Sequence, residues 1–414
     1  MKVAVIGAGS TYTPELVSGM SEMPLDELVL HDIDASRLDV VGGLARRMLE
    51  REEFEGRLEV TADLEAALAG ADFVLVQIRV GGQAARLLDE TVPLRCGCIG
   101  QETTGAGGFA KAMRTVPVVL ELAEHVRELA APGAWIVDFT NPVGIVTRAL
   151  HDAGHRAVGL CNVAITFQRR IASLLGVPAD RLWVDQVGLN HLTWIRAVWL
   201  DGRDVLGEVL DAHAEQLAAE LELPPELLDD LGAIPSYYLR YFYAESEVLG
   251  EQISDERPRA QVVADLEREL LDLYRDPSLA EKPALLEQRG GAFYSEAATQ
   301  LIASLAAGTG DVQVVDVRNG GTLAGLADDD VVEVPARIGG SGPEPVQQPP
   351  LAPELLGLTQ HVAAYERLTA EAAVTRDPTT ARKALLTNPL VGEYAKVDEL
   401  IDQLVAEQPE AVTR

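Results

Sequence analysis

The sequence is poor in cysteine, in basic residues and in long apolar runs, and each shortage argues against a class of protein. Three cysteines in 414 residues, Cys96, Cys98 and Cys161, cannot form the disulfide framework of a small secreted protein. The 34 lysines and arginines are outnumbered by 65 aspartates and glutamates, so a nucleic-acid or anionic-membrane binder is disfavoured. No apolar run reaches the about 18 residues of a membrane span, and no secretory leader is recognisable. We therefore expect a soluble, cytoplasmic protein.

The first fifteen residues contain a strand, a glycine turn and the start of a helix in direct succession. Residues 3–6 are apolar and predict a buried strand, Gly7 and Gly9 allow a sharp turn, and Thr13 is expected to cap the helix. Such a turn can bind the pyrophosphate of a dinucleotide with its backbone amides. The fingerprint G-x-G-x-x-G is incomplete, because Tyr12 stands in place of the third glycine. A simple strand-to-helix turn is the alternative.

A second apolar run ends in Asp32, about 20 residues beyond the glycines, where an acidic side chain can bind a ribose hydroxyl. Asp34 is a second acidic candidate, but it fits equally well as the cap of a helix over Ala35 to Arg51. Short apolar runs then alternate with helix-like segments up to about Asn162. This alternation predicts a doubly wound parallel sheet, and the helix-rich remainder predicts a second, α+β domain.

Cys161 and His191 occur in two similar contexts, GLCN and GLNH, each at or after the end of a predicted strand. A thiolate and an imidazole that lie together can bind a transition metal. On spacing alone the plainer alternatives are favoured, namely an inert buried thiol and a hydrogen-bonded turn histidine.

The other candidates are polar side chains at strand ends, in glycine-rich segments or on one predicted helix, YYLRYFY. Asparagines at strand ends can bind a ligand or form turns. Arginines bind phosphate with their planar fork, although each is individually more often a solvated surface charge. Tyrosines at i, i+3 share a helix face that could be core, and a phenol is a useful base only if a cation lowers its pKa. These candidates are Asn141, Asn162, Arg79, Arg86, Arg289, Tyr238 and Tyr241.

Taken together and in order, the motifs resemble glycoside hydrolase family 4, most closely its 6-phospho-β-glucosidase branch. This family is the NAD-dependent exception among glycosidases that otherwise use two carboxylates. An ordered joint match is far more specific than any single motif. The similar segments are VAVIGAGSTYTPE at 3–15, IRVGG at 78–82, IGQETTGAGGF at 99–109, FTNPVG at 139–144, GLCN at 159–162, GLNH at 188–191, YLRYFY at 238–243, RGGAFYS at 289–295 and ALLTNPLVG at 384–392.

The resemblance implies a fold and a chemistry. The fold would be an NAD-binding Rossmann-like domain over 1–162 and a mostly helical α+β substrate- and metal-binding domain over 163–414, as in lactate and malate dehydrogenases. NAD⁺ would oxidise C3 of the sugar, a base would remove the C2 proton, the C1 substituent would be eliminated, water would add, and the hydride would return. A divalent metal, usually Mn²⁺, would bind the C2 and C3 oxygens.

The resemblance also implies roles for individual residues. Cys161 and His191 would ligate the metal, which reverses the preference drawn from spacing. Tyr238 would be the C2 base, with Tyr241 in reserve. The cofactor would contact Gly7, Gly9, Ser10, Thr11, Asp32 and Arg79. The phosphorylated sugar would contact Arg86, Asn141, Asn162 and Arg289, with the division of the three arginines between cofactor and phosphate left open. Asn162, where α-specific members carry Asp, favours the β branch and leaves the leaving-group acid unassigned.

The sequence therefore predicts hydrolysis of 6-phospho-β-glucosides, such as cellobiose 6-phosphate, to glucose 6-phosphate by a homodimer or homotetramer. An NAD-dependent dehydrogenase of the 2-hydroxy-acid type would share the first domain and is the main alternative. A non-catalytic sensor of NAD and sugar phosphate is the third. The metal pair and the tyrosines argue against both.

Overall fold

The computed structural model of the chain describes residues 1–255, 257–289 and 293–407. Within these ranges the strands form one 13-stranded sheet. The strands are β1 Lys2–Ile6, β2 Glu27–His31, β3 Arg57–Thr61, β4 Phe73–Val76, β5 Trp135–Asp138, β6 Ala157–Gly159, β7 Leu182–Leu189, β8 Leu192–Leu200, β9 Arg203–Asp204, β10 Ile234–Pro235, β11 Asp311–Arg318, β12 Val331–Gly339 and β13 Gly342–Pro345.

Helices pack around this sheet and close the chain after β13. They are α1 Thr13–Met20, α2 Ala35–Arg51, α3 Leu64–Leu68, α4 Gly82–Arg95, α5 Gly105–Leu129, α6 Val143–Asp152, α7 Val163–Leu175, α8 Leu206–Leu221, α9 Pro225–Leu231, α10 Arg240–Tyr243, α11 Glu245–Ser254, α12 Arg259–Tyr274, α13 Tyr294–Ala307, α14 Pro353–Thr375, α15 Pro378–Thr387 and α16 Tyr394–Glu407. None of the described helices is both long and apolar enough to cross a membrane.

Six parallel strands at one side of the sheet have the order β3-β2-β1-β4-β5-β6. This is the strand order of a dinucleotide-binding fold. The strands read as apolar runs because helices cover both faces of a parallel sheet, and Val3, Ala4 and Val5 of β1 are fully buried. The predicted doubly wound parallel sheet of Rossmann type is confirmed.

The same sheet continues in antiparallel fashion, in the order β11-β12-β7-β8-β10, and ends with the two-residue strand β10. The seam between the two parts is a single residue pair, Asp316 of β11 opposite Gly159 of β6. A Cβ on Gly159 would lie 2.3 Å from Thr147 Oγ1 and 2.8 Å from Asp316 Cβ, so only glycine fits there. The division into domains at residue 162 stays a prediction, and the strands on either side of it share one sheet.

Two local expectations are wrong. Thr13 is the first residue of α1 and not its cap; Tyr12 occupies the cap position without a side-chain hydrogen bond, and Thr13 Oγ1 accepts from Gln77 Nε2 at 3.0 Å. The segment YYLRYFY is not one helix. It is a 3₁₀ turn over Tyr237–Leu239 followed by the four-residue helix α10.

Candidate active site

The glycine loop after β1 lies against the ends of β2 and β4. Gly7 has φ +92°, its amide donates to the carbonyl of His31 at 3.0 Å, and a Cβ there would lie 2.7 Å from the carbonyl oxygen of Gln77. The amide of Gly9 donates to Asp32 Oδ2 at 2.8 Å, and a Cβ on Gly9 would lie at the same distance from that oxygen. Both glycines are therefore required by close contacts, at the edge where dinucleotides bind.

Asp32 connects this loop to the start of α2. Its second oxygen accepts from the amide of Asp34 at 2.9 Å. Asp34 itself caps α2 by accepting from the amide of Arg37 at 3.0 Å, so the capping interpretation of Asp34 is confirmed. A carboxylate has further lone pairs beyond these two contacts. The ribose role of Asp32 stays a prediction.

Ser10 and Thr11 complete the loop before α1. Ser10 Oγ accepts from the amide of Tyr12 at 3.2 Å, and the carbonyl of Thr11 accepts from Tyr274 Oη at 2.7 Å. Thr11 is fully buried, and its hydroxyl has no hydrogen-bond partner among the described residues. Its direct contact with a cofactor also stays a prediction.

The structure brings Cys161 and His191 into one site through Asn190. Cys161 lies between β6 and α7, while Asn190 and His191 form the tight turn between β7 and β8, with His191 at φ +63°. The Asn190 side chain hydrogen-bonds that of Cys161, and its Nδ2 donates to Glu333 Oε2 at 2.9 Å. Glu333 also accepts from Gln186 Nε2 at 2.6 Å. Strands β6 and β7 are separated in the sheet by β11 and β12. The contact of Asn190 with Cys161 therefore joins the segment after β6 to the turn that carries His191.

Burial keeps both candidate ligands neutral in the metal-free protein. It raises the pKa of the Cys161 thiol well above its usual value, and the nearby Glu333 adds to this. It lowers the pKa of His191 to about 3, with a contribution from Lys111. A neutral imidazole is ready to ligate, whereas the thiol must release its proton to a bound metal.

The donor set fits a metal that is shared with a substrate. Among the described residues there is no group of three or more histidine, cysteine or carboxylate side chains that could hold a metal by itself. A sulfur and a nitrogen donor therefore leave coordination positions for oxygen ligands from elsewhere. This is an open site, as catalytic metals require.

Tyr238 lies on the imidazole of His191. The two rings stack with centroids 3.6 Å apart and planes 11° apart, while Tyr241 lies farther out, 6.5 Å from Tyr238. Burial raises the pKa of Tyr238 well above 10, and nearby Tyr237 and Cys161 add to this. A bound cation is therefore needed before this phenol can act as a base.

A group of largely buried cations lies near His191, one of the two candidate metal ligands. Lys111 Nζ lies 2.6 Å from Glu102 Oε2, Arg86 Nε lies 3.2 Å from Glu102 Oε1, and Arg79 is also paired with Glu102. Burial acts to raise the pKa of Glu102, but the three cations together hold it well below its usual value. Burial lowers the pKa of Lys111 to about 8.

Arg289 belongs to the same group. It pairs with Glu267 at 3.1 Å, and its pKa is lowered by burial and by its proximity to Arg79 and Arg86. We call these four cations, Arg79, Arg86, Lys111 and Arg289, the basic cluster. The three arginines singled out from the sequence thus lie together. Gly290, Gly291 and Ala292, which follow Arg289 in the segment RGGAFYS, lie outside the described residues.

The two asparagines lie at strand ends, as expected. Asn141 lies three residues after the end of β5. Its Oδ1 is buried without a hydrogen-bond partner among the described residues, which leaves an acceptor for a ligand hydroxyl. Asn162 occupies the cap position of α7, where its carbonyl accepts from the amide of Thr166 at 3.0 Å. Their contact with a sugar stays a prediction.

Reasoning from the sequence missed several residues of this site. Glu102 lies in the segment IGQETTGAGGF at 99–109, which entered only through the family resemblance, and neither Glu102 nor Lys111 was among the candidates. The available signal was a lysine in the otherwise apolar first half of a helix, where a charge has to be paired. Gln101, Asn190 and Glu333 gave no comparable signal.

Known proteins match this chain over almost its whole length. The profile described as "Family 4 glycosyl hydrolase" matches residues 2–177, and that of its C-terminal domain matches residues 186–391. The chain is 42% identical to the "Probable 6-phospho-beta-glucosidase" of Bacillus subtilis, over 98% of this chain and 96% of that protein. It is 36% identical to the "6-phospho-beta-glucosidase" of Escherichia coli, over 98% and 94% of the two chains.

Solved structures agree as well. The 6-phospho-beta glucosidase of Thermotoga maritima with NAD and glucose-6-phosphate matches with a TM-score of 0.92 and 35% identity, over 100% of this chain and 99% of that one. Another structure of that enzyme contains manganese, NAD⁺ and glucose-6-phosphate. A malate dehydrogenase from Salinibacter ruber, at 18% identity and a TM-score of 0.54, shares the fold alone. With both parts of the chain matched and the predicted fold present, this protein belongs to family 4 of the glycosyl hydrolases.

Proposed function

We propose that this chain hydrolyses 6-phospho-β-glucosides to glucose 6-phosphate, using NAD and a divalent metal ion such as Mn²⁺. One observation carries the proposal. The consecutive residues Glu102 and Thr103 contact the basic cluster and His191 respectively. The basic cluster, which we propose to bind phosphate, therefore lies beside His191, which we propose to bind the metal. This arrangement suits a sugar that has a phosphate at one end and hydroxyls at the other.

The basic cluster supports the phosphorylated substrate on electrostatic grounds. In the part of the chain that the structure describes, six cations interact with four carboxylates. The cations are the basic cluster together with Arg37 and Arg114, and the carboxylates are Asp89, Glu90, Glu102 and Glu267. The site is thus locally cationic in a chain whose net charge is −31. Arginine forks bind two phosphate oxygens at once, and burial strengthens the attraction.

Different residues of the chain would have different roles in the reaction. The loop with Gly7 and Gly9 would hold the cofactor pyrophosphate, and Cys161 with His191 would hold the metal ion. When bound, NAD would supply a reversible hydride acceptor for the sugar, and the metal would supply a Lewis acid for the sugar oxygens. Tyr238 would take the C2 proton, because a neighbouring cation would offset the burial that raises its pKa. Elimination at C1 and addition of water would follow on the sugar, with no net consumption of the cofactor.

The decisive assay uses p-nitrophenyl β-glucoside 6-phosphate with NAD⁺ and Mn²⁺ under reducing conditions. We expect nitrophenol release that requires both additions, with no net NADH. The α-anomer is the matched control and should react more slowly. Stoichiometric accumulation of NADH would instead identify a dehydrogenase, and binding without release would identify a sensor. Release that persists after removal of NAD⁺ or of Mn²⁺ would contradict the proposal.

We also propose that the enzyme works in the cytoplasm as a homodimer or homotetramer. All three cysteines are free, which suits a reducing compartment. Light scattering coupled to size-exclusion chromatography would measure the mass, and a monomer at working concentration would contradict the second part of this proposal.

A further inference from the structure

His191, one of the two proposed metal ligands, is hydrogen-bonded to Thr103. Thr103, in the segment between α4 and α5, has its Oγ1 2.9 Å from His191 Nδ1. A hydroxyl can donate or accept, and a neutral imidazole nitrogen can do either according to its tautomer. The distance alone therefore does not say which atom carries the proton.

Gln101 decides the direction of this hydrogen bond. Its side-chain Oε1 accepts from the backbone amides of Thr103 and Thr104, the latter at 2.8 Å. Backbone amides only donate, so the Gln101 atom that faces them must be the carbonyl oxygen and not the NH₂ group. Thr103 Oγ1 lies 2.9 Å from this same oxygen, and it can satisfy that contact only by donating its single proton.

With its proton committed to Gln101, the Thr103 oxygen is an acceptor towards His191. Nδ1 of His191 must then carry the hydrogen, which leaves the lone pair of a neutral imidazole on Nε2. We propose that Gln101 and Thr103 form a positioning pair that fixes His191 in the Nδ1–H tautomer and makes Nε2 the metal-ligating atom. This inference rests on the proposed function insofar as it concerns the metal.

Two further contacts make this pair effective. The ring of Tyr238 stacks on the imidazole at 3.6 Å, so the ring plane is fixed while Thr103 fixes the rotation within it. Gln101 is itself anchored by backbone groups and not by a mobile side chain. Outer hydrogen bonds of this kind orient ligating histidines, and their loss lowers metal affinity by about 10–100-fold.

The first test compares three threonine variants by Mn²⁺ titration, with free Mn²⁺ followed by electron paramagnetic resonance. Thr103→Val keeps the shape and removes the hydroxyl, and we expect its Kd for Mn²⁺ to rise about 10–100-fold. Thr103→Ser should bind as the unaltered protein does. Thr104→Val is the matched control, because the Thr104 hydroxyl has no hydrogen-bond partner among the described residues. Unchanged affinity in Thr103→Val would overturn the proposal.

The second test needs no variant of the pair. The ¹⁵N spectrum of metal-free protein labelled at histidine should show His191 with a protonated Nδ1 and an unprotonated Nε2, the signal being identified by its loss in His191→Gln. A protonated Nε2 would overturn the proposal. If Cys161→Ser binds Mn²⁺ as tightly as the unaltered protein, the proposed metal site fails, whereas the tautomer is still decided by the metal-free spectrum.

Discussion

Two parts of the candidate site are built in different ways. We call the glycine loop with Asp32, proposed to bind the cofactor, the cofactor side. We call the part around Cys161 and His191, proposed to bind the metal and the sugar, the substrate side. On the cofactor side, Gly7, Gly9, Asp32 and Asp34 lie within a short stretch of chain and are held mostly by backbone groups. On the substrate side, side chains from distant segments hold one another, as when Asn190 contacts Cys161 and Glu333. The first arrangement depends on backbone hydrogen bonds within a short stretch of chain, and the second depends on buried polar and charged side chains from distant segments.

This difference predicts where substitutions act. Changes on the cofactor side should alter loop geometry through steric contacts. Changes on the substrate side should leave buried polar groups without partners, which costs more free energy per residue.

The largest effect is expected at the metal pair. Cys161→Ser removes the sulfur ligand, and we expect metal-dependent turnover to fall by more than about 100-fold, because loss of an outer hydrogen bond alone costs about 10–100-fold. The thermal unfolding temperature should change little. Turnover with excess Mn²⁺ gives the measurement, and Cys98→Ser is the control, since Cys98 is buried away from this site. Full activity in Cys161→Ser would show that turnover does not need the Cys161 sulfur, and it would contradict the proposed metal site.

The next effect is on stability. Glu102→Gln leaves Arg79, Arg86 and Lys111 without their shared counter-charge, and breaking a buried ion pair costs about 3–5 kcal/mol. Urea unfolding measures this. The control is Glu208→Gln, which breaks the exposed pair between Arg203 and Glu208 and should leave the midpoint unchanged. Equal midpoints for the two variants would show that the buried charges do not support the fold.

A smaller effect is expected on the cofactor side. The Cβ of Gly9→Ala would lie 2.8 Å from Asp32 Oδ2 and 3.2 Å from Arg37 Cβ, so we expect a loss of about 1–3 kcal/mol and weaker NAD⁺ binding. Gly43→Ala in α2 is the control, since its nearest atom is Arg47 Nη1 at 3.5 Å. It should be neutral or stabilising. Calorimetric titration of NAD⁺ measures binding, and wild-type affinity in Gly9→Ala would contradict the steric account.

The last effect concerns the pH dependence of stability. Burial raises the pKa of Asp138 from 3.8 to about 8, so the native state holds a proton that the unfolded chain releases above pH 3.8. This stabilisation is fully present below pH 3.8 and is lost as the pH rises to about 8, by at most about 1.4 kcal/mol per pH unit. Unfolding of Asp138→Asn between pH 5 and pH 8 should show a shallower decline than the unaltered protein. An unchanged slope would contradict it.

The sequence alone predicted the cofactor side better than the substrate side, for a physical reason. The strand, glycine turn and helix start are consecutive, so periodicity and turn chemistry suffice to place Gly7, Gly9 and Asp32. Helix α2 begins and ends where the sequence predicted, at Ala35 and Arg51. Thr13 was wrongly predicted to cap α1, because its hydroxyl instead accepts a hydrogen bond from Gln77, the residue after β4.

On the substrate side, spacing alone favoured an inert buried thiol at Cys161 and a turn histidine at His191, and only the family resemblance favours a metal site. Cys161 and His191 are 30 residues apart, and nothing local shows that Asn190 joins them. Only the family resemblance assembled these motifs into one site, and that family assignment is confirmed. Glu102 was missed because tertiary contacts bring its partners Arg79 and Arg86 to it. Gln101 was missed because its contacts are local, to Thr103 and Thr104, and their link to His191 appears only in the folded chain. The individual roles of the site residues stay predictions.

The seam at Gly159 has a consequence for how catalysis is organised. The parallel part and the antiparallel part of the sheet meet at this seam, where the contacts of Gly159 with Thr147 and Asp316 leave no room for a larger side chain. Cys161 lies two residues beyond the seam, so the folded sheet positions the proposed metal ligand relative to the proposed cofactor loop. Reactants that must pass a hydride out and back within one turnover then meet a preorganised site, and little orientational entropy is left for substrate binding to remove.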